Sequence, residues 1–394
     1  MPMNNTIESL KKQNCTGCKS CGDACPVEAI DFYDEIDGFW YPKIDHDKCV
    51  NCGLCAKKCP SLNDVNDSGK TVLKCYGVKS KNQEIRYNST SGGFFSVLAE
   101  KWIDNGGIVA GAEYDDSNLV FHSISSDKKD ISKLRQSKYV QSDTRGIYKK
   151  VKELLDSNEK VLFCGTPCQV EAMLFFLVKP YDNLLTLDFV CCGICSPGIY
   201  KLYLTELEQK YNSKIKKVWF KNKEEGWRNI GTRIDFENGK HYFRTGSRDL
   251  FMTSFVTDAL SMRLSCEECK YRKLPHRSDI MLGDFWGIEN INPSFDDNRG
   301  VSAVLLNSKK GKDAFESIQS KLDYFETTKE DIAKGNFTIF EPKHINPSRA
   351  DFISMVNKKG FKYAMSKYSK YSGLKRIRTD ISYYKSKVKR MLKI

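Results

Sequence analysis

Residues 160–191 read KVLFCGTPCQVEAMLFFLVKPYDNLLTLDFVC, and this stretch decides the fold of the body. Residues 160–163 carry the apolar signal of a short strand. Gly165-Thr166-Pro167-Cys168 follows, with Thr as N-cap and Pro at the first helical position. The predicted helix runs to about residue 178, and 184–190 reads as a buried strand. Strand, helix and strand in succession point to an α/β layer with parallel strands.

A unit of the same kind lies upstream. A β-like stretch over 75–80 precedes Asn88-Ser-Thr-Ser91-Gly92-Gly93, which leads into an apolar-periodic helix over 94–103 and a strand over 107–113. Ser91 is the predicted N-cap, and the glycines would let a phosphate approach exposed backbone N–H groups. Residues 150–156 read as helix. Neither GxGxxG nor GxxxxGK[ST] occurs, so neither a standard Rossmann dinucleotide site nor a P-loop is supported.

Further outward, the N-terminal region holds two runs, Cys15-x2-Cys18-x2-Cys21-x3-Cys25-Pro26 and Cys49-x2-Cys52-x2-Cys55-x3-Cys59-Pro60. Both have the spacing of bacterial two-cluster ferredoxins, in which three thiolates of one run hold a cubane and the fourth ligates the other cluster. One 4Fe–4S cluster would take Cys15, Cys18, Cys21 and Cys59; the second, Cys49, Cys52, Cys55 and Cys25. Structural zinc sites present pairs of CxxC instead. Gly17, Gly22 and Gly53 suit tight turns, and Pro26 and Pro60 would open short helices after each run. A polar linker is expected over 61–70.

The 394 residues suffice for two or three domains. The N-terminus lacks an export signal, and no apolar run approaches the length of a membrane span, so a cytoplasmic protein is expected. In that compartment, sixteen cysteines signal metal or redox chemistry more than disulfides. The net charge of +13 resides almost wholly in the tail: from Lys358 onward there are thirteen Lys/Arg and one acid, Asp380. With a near-neutral body, nucleic-acid binding is not expected. Ile377, Ile381, Tyr384, Val388 and Met391 fall on one helical face, with Lys385, Lys387, Lys389 and Arg390 around it. Such a helix reads as a membrane-surface or partner-docking element, or as a solvated end.

Eight cysteines lie outside the two runs. Cys168 at a helix start, Cys191 at a strand end and the pair Cys266/Cys269 would meet at one sheet edge, where four thiolates can hold a third cluster. Cys75, Cys164, Cys192 and Cys195 read as small buried residues. Residues 279–287, DIMLGDFWG, read as a strand ending in a turn that bears Asp284 and two aromatics, with His276 just before it. His276 and Asp284 are the candidates for acid–base work.

Ser91-Gly-Gly93, Lys138-Tyr-Val-Gln-Ser142, Gly165-Thr-Pro-Cys168, Leu187-Asp-Phe-Val-Cys191, Ser265-Cys-x-x-Cys269 and Gly283-Asp-Phe-Trp-Gly287 together resemble the beta-subunit family of coenzyme F-420 (deazaflavin) hydrogenases and dehydrogenases. The resemblance runs from about residue 76 to 289, with the motifs in family order. A fused ferredoxin module is common in the bacterial branch, which is often found among polysaccharide-biosynthesis enzymes.

The resemblance implies an FAD-binding oxidoreductase with its own 4Fe–4S cluster on Cys168, Cys191, Cys266 and Cys269. The flavin would lie near Ser91, Gly92 and Gly93, with Lys138, Gln141 and Thr166 close by. Cys192 replaces a histidine of the relatives, and Cys195 a small residue or proline, which leaves a different choice of ligand among Cys191, Cys192 and Cys195 open. The implied organisation is a ferredoxin-like domain over 1–66, an α/β flavin domain over 70–345 and a basic helical tail over 346–394. Expected partners are a ferredoxin or another redox protein and a small organic substrate or deazaflavin, with a peripheral contact at the inner face of the cell membrane through the tail. The alternative is an electron-transfer subunit that serves a partner enzyme and has no substrate of its own.

Overall fold

The computed structural model describes residues 5–63, 71–339, 341 and 343–392; the expected linker lies outside the described residues from position 64 on. The N-terminal region contains one hairpin, β1 (Ile30–Asp34) and β2 (Trp40–Ile44), paired antiparallel. Its short helices, Ser20–Asp23 and Leu54–Lys57, lie inside the cysteine runs and end before Pro26 and Pro60, not after them. The chain must turn tightly between successive thiolates, and Gly17 and Gly53 provide left-handed φ values of 70° and 72° there.

The body is built on an eight-stranded mixed sheet. Its strands are β3 (Lys74–Ser80), β4 (Ile108–Tyr114), β5 (Val120–Ser125), β6 (Val161–Cys164), β7 (Leu184–Phe189), β11 (Ile280–Asp284), β12 (Ser302–Leu306) and β13 (Leu322–Thr327), in the order β13-β3-β12-β11-β7-β6-β4-β5. The predicted parallel core is present: β4 pairs β6, β6 pairs β7 and β7 pairs β11, all parallel, with Val161 opposite Leu184 and Ile280 opposite Leu187. These strands are covered on both faces, which is why they read as apolar runs and not as alternations. β12 runs antiparallel between β11 and β3, and β5 closes the other edge. β3 therefore points the same way as β4 but four strands lie between them, and the helix Phe94–Asp104 makes a long crossover, not the compact unit that local sequence suggests.

A second lobe holds the antiparallel sheet β8 (Ile215–Asn222), β9 (Gly231–Phe236) and β10 (His241–Thr245), packed on the helix Pro197–Tyr211. Helices Arg349–Lys359 and Phe361–Tyr368 join this core through Phe352, Ile353, Val356, Phe361 and Met365. The region expected to be a tail from residue 346 thus begins with two helices held by buried apolar side chains. Only the helix Gly373–Leu392 lies outside this packing, with Leu374, Ile377, Ile381, Tyr384 and Val388 exposed. Arg248 pairs with Asp380 at 2.7 Å and donates to the Tyr384 hydroxyl at 3.4 Å, and Glu225 bonds Tyr383 and Lys387, which fixes a neighbouring face of the helix to the body. The side chains of Lys389, Arg390 and Met391 lie outside the described residues. Among the described residues no helix is long and apolar enough to cross a membrane.

The ferredoxin region is wedged against the body. Asp23 accepts hydrogen bonds from the backbone N–H groups of Gly146 (2.7 Å) and Tyr148 (3.0 Å), at the start of the helix Ile147–Asp156. An acid at this position satisfies otherwise unpaired donors and complements the helix dipole. Asp37 pairs with Arg349 at 2.9 Å. Gly38 meets Gly198 so closely that a Cβ on Gly38 would lie 2.7 Å from the Gly198 Cα.

Candidate functional site

β4, β6, β7 and β11 all end at one sheet edge, and a cavity of about 770 Å³ opens there. Crevices outside the carboxyl ends of parallel strands are the usual ligand sites of α/β sheets, and this volume suits a cofactor. The Gly165–Thr166 turn, the strand-end cysteines Cys191 and Cys192, and Asp284 form one wall. β8 to β10 contribute Lys221, Thr232 and Arg244 opposite, and Thr16, Gly17 and Cys18 of the ferredoxin region close one end.

Ser91, Gly93, Lys138, Gln141 and Thr166 line this cavity, while Gly92 does not. The N–H of Gly92 donates to Ser302 Oγ at 3.0 Å, and a Cβ there would lie 2.1 Å from the Val78 carbonyl oxygen. Gly92 is therefore a close-packing position between β3 and β12, with no free N–H for a phosphate. Ser91 is not the N-cap: its hydroxyl is 2.9 Å from that of Ser302, and the N-cap of the helix is Gly93, whose φ is +92°. Thr166 forms the capping box with Gln169, beside Pro167, and its hydroxyl is 3.1 Å from Cys168 Sγ. The Lys138 ammonium donates to the Arg135 carbonyl at 3.0 Å, and burial pulls it down to about 7. Gln141 is committed to the ferredoxin region, since its amide donates to the Gly17 carbonyl at 2.9 Å and accepts from Arg263 at 2.9 Å.

The thiols fall into three crowded sets. Burial first, then Cys59 and Cys15, push the Cys18 thiol up to about 12; Cys21 is raised by burial and then by Cys18, Cys15 and Cys59. Cys25, Cys49, Cys52 and Cys55 line a small hollow of their own, where Cys52 is exposed. Burial, then Cys192, Cys266 and Cys168, raise Cys191, while burial, then Cys269 and Cys168, push Cys266 up to about 12. Cys18 also acts on Cys168, so the first and third sets adjoin.

Thiolates packed this closely repel one another in a dry setting, and cationic iron removes that penalty. Among the described residues no three His, Cys, Asp or Glu side chains converge on a single ion. Four thiolates around a cubane each meet a different iron, so the spread of these sets fits clusters and not a lone metal. Cys192 lies in the cavity wall beside Cys191, so the choice between them as ligands stays open. Cys195 is fully buried and donates to Ser261 at 3.1 Å; Cys75 is buried in β3, and Cys164 faces the cavity.

Asp284 lines the cavity and is salt-bridged to Lys221, at a bulge where Lys221 has a φ of +50°. Burial alone would lower Lys221, but Asp284 and then Tyr139 outweigh it and hold the ammonium above its usual range. Trp286 completes this corner, stacked on Trp227 at 4.5 Å and 9°. His276 lies elsewhere. It is buried outside the cavity lining, with Nδ1 3.0 Å from Asp188 Oδ2 and Nε2 3.1 Å from the Arg272 carbonyl. Both partners accept, so both ring nitrogens carry protons. Burial opposes that charge, and Asp188 overcomes it, raising His276 above its usual value.

Sequence reasoning missed Arg263 and Lys221. Arg263 is fully buried and donates to the Cys15 carbonyl (2.7 Å), the Trp40 carbonyl (3.0 Å) and Cys15 Sγ (3.5 Å). Its place three residues before Cys266 was the available signal, because a cation beside a ligand pair has to be accounted for.

Residues 14–63 match the family described as 4Fe-4S dicluster domain, and residues 158–342 match the C terminus of the Coenzyme F420 hydrogenase/dehydrogenase beta subunit. An F(420)H(2) dehydrogenase subunit of Methanosarcina mazei is 19% identical over 337 residues, covering 82% of this chain and 87% of that protein. The pyruvate synthase subunit PorD of Methanothermobacter marburgensis is 39% identical over 51 residues, 13% of this chain and 53% of that protein. A chain of the F420-reducing NiFe hydrogenase complex from Methanosarcina barkeri aligns with a TM-score of 0.45 and 17% identity, over 77% of this chain and 94% of that one. With its two matches in chain order, the protein carries the C-terminal domain of the coenzyme F420 hydrogenase/dehydrogenase beta-subunit family over residues 158–342, behind an N-terminal 4Fe-4S dicluster domain.

Proposed function

We propose that this chain is an iron–sulfur flavoprotein oxidoreductase, with FAD in the large cavity and three 4Fe–4S clusters, which reduces or oxidises a small organic substrate or a deazaflavin coenzyme. The observation that carries this reading is the cavity wall itself: Cys168, Cys191 and the ferredoxin residue Cys18 border the same space as Ser91, Gly93, Lys138 and Thr166. Clusters supply single electrons, whereas a flavin stores two and can deliver a hydride.

The residues present suit that division. Hydroxyls of Ser91 and Thr166 border the space an anionic cofactor would occupy, Lys138 adds a cationic side chain held by the Leu134, Arg135 and Gln136 carbonyls, and Gln141 buttresses the ferredoxin region behind them. The Lys221–Asp284 pair holds a proton donor and an acceptor at the far wall. Cys52 is the exposed cysteine of the outer set, beside the exposed Val50 and Val27, so a ferredoxin or another redox protein would dock on that face. The exposed apolar stripe of the tail helix, flanked by lysines and arginines, supports peripheral contact with the anionic inner face of the cell membrane. Removing residues after 372 is expected to abolish sedimentation with anionic vesicles; unchanged sedimentation refutes the contact.

Anaerobic purification followed by iron, acid-labile sulfide and flavin analysis tests the whole reading. About twelve irons and one FAD per chain are expected for three clusters. About eight irons without flavin would refute it and leave an electron-transfer protein serving a partner.

A further inference from the structure

A second cavity, of about 640 Å³, lies between the tail helix and the loop after β10. Lys375, Arg378, Thr379 and Ser382 line it from the helix, and Gly246 and Ser247 line it from the loop. Among the described residues no carboxylate lines it: Asp380 is turned to Arg248. Lys375 lies over the Tyr371 ring at 4.9 Å, and neither it nor Arg378 enters an ion pair among the described residues. Arg248, which also lines the groove, is paired with Asp380, so Lys375 and Arg378 are its cations without a carboxylate partner among the described residues.

The two cavities share a border. Gly246 and Ser247 line both, and Arg244 projects into the larger one. Gly246 takes a φ of +51°, and no atom outside its chain neighbours lies within 4 Å of where its Cβ would sit, so the shared border at this residue faces open space. The two cations, the hydroxyls of Ser247 and Ser382 and the lack of a carboxylate together form a site for a tetrahedral polyanion, because each oxygen can accept from a charged or hydroxyl donor.

We infer that the groove under the tail helix binds the phosphate or diphosphate group of the substrate, whose reacting portion passes Gly246 and Ser247 into the large cavity. The inference rests on the reading of that cavity as the redox site. It assigns to the tail a part in substrate selection, and to the substrate a chemical class, an organic phosphate ester.

The test uses the full-length, anaerobically purified protein and calorimetric titration with inorganic pyrophosphate and, separately, with dihexanoyl phosphatidic acid in its monomeric range. Replacing Lys375 and Arg378 together by Gln is expected to weaken binding at least roughly tenfold, the lower end for loss of a charge-assisted contact. The double variant Lys201→Gln/Lys367→Gln, which removes the same charge outside the groove and off the tail helix, is expected to bind as the unchanged protein does. Tighter binding of pyrophosphate assigns a soluble phosphate ester; tighter binding of the lipid assigns a lipid headgroup. Absence of binding by both probes, or equal weakening in the two double variants, overturns the proposal. Neither titration reads flavin or turnover. A protein without flavin that binds pyrophosphate through Lys375 and Arg378 would refute only the redox-site reading, and a flavin-loaded protein that binds neither probe would refute only the groove.

Discussion

Replacing Arg263 by Gln should lower the midpoint potential of the 4Fe–4S cluster proposed to rest on Cys15. The Arg263 guanidinium is fully buried and lies 3.5 Å from Cys15 Sγ, and it also donates to the Cys15 carbonyl at 2.7 Å. A cation donating to a ligand sulfur stabilises the reduced cluster, which carries more negative charge, and so raises its potential. The contact is long, so the low end of a charged hydrogen bond, about 1.5 kcal/mol, is appropriate. At about 1.4 kcal/mol and about 59 mV per factor of ten for one electron, this converts to a fall of about 60 mV. Arg263→Lys keeps the charge without the planar fork and should recover only part of the shift. The assay is a redox titration followed by electron paramagnetic resonance on anaerobic protein with its full iron content. Midpoints in the Gln variant that coincide with those of the unchanged protein would refute the reasoning. The shorter amide side chain would leave the Trp40 and Cys15 carbonyls short of donors, so urea unfolding should show a loss of a few kcal/mol in the same variant, about 1–3 for each stranded acceptor.

Three other outcomes are expected. Lys221→Met leaves Asp284 without its cation in a largely buried corner and should cost about 3–5 kcal/mol in denaturant unfolding, while Lys221→Met/Asp284→Leu should restore most of it. Gly92→Ala puts a methyl against backbone at 2.1 Å and should destabilise by about 2–3 kcal/mol, read as a lower unfolding midpoint with unchanged iron content. Asp297 is forked to Arg86 at 2.7 and 2.6 Å; burial would raise its carboxyl, but Arg86 outweighs that and holds it below the usual value. Its stabilisation is present above the unfolded carboxylate pKa of about 3.9 and is lost as pH falls through the lower folded value. Stability measured from pH 6 down to pH 2 should therefore fall less steeply in Asp297→Asn, which starts about 1–2 kcal/mol lower because the carboxylate is part-exposed.

Local chemistry made much of this legible. Thr166 and Pro167 announced the helix they cap, and the apolar runs at 160–163 and 184–190 announced the strands found at Val161–Cys164 and Leu184–Phe189. Thiol spacing separated the cysteines of the two runs, which needed no knowledge of the tertiary fold. Long-range pairing was not legible: nothing local to β3 says that β12, some 220 residues later, inserts between it and the parallel core, since that choice depends on which apolar faces remain free after collapse. For the same reason Gly92 read as a phosphate turn. Glycines that permit a ligand and glycines that permit a neighbouring strand look alike in sequence. His276 read as a candidate acid because its partner, Asp188, is 88 positions away. The tail showed its charge plainly, but the apolar residues at 352–365 that dock its first two helices were outvoted by the lysines around them.

The contacts of Arg263 and Arg349 with the first forty residues have a bearing on biosynthesis. At ribosomal speeds of about 5–20 residues per second, the roughly two hundred residues separating Pro60 from Arg263 take about 10–40 s to emerge. Throughout that interval the Cys15 carbonyl lacks the guanidinium donor it has in the finished protein, and Asp37 waits longer still for its arginine. The metallocentre face is thus open to assembly factors, and equally to oxygen, until the later chain arrives to seal it.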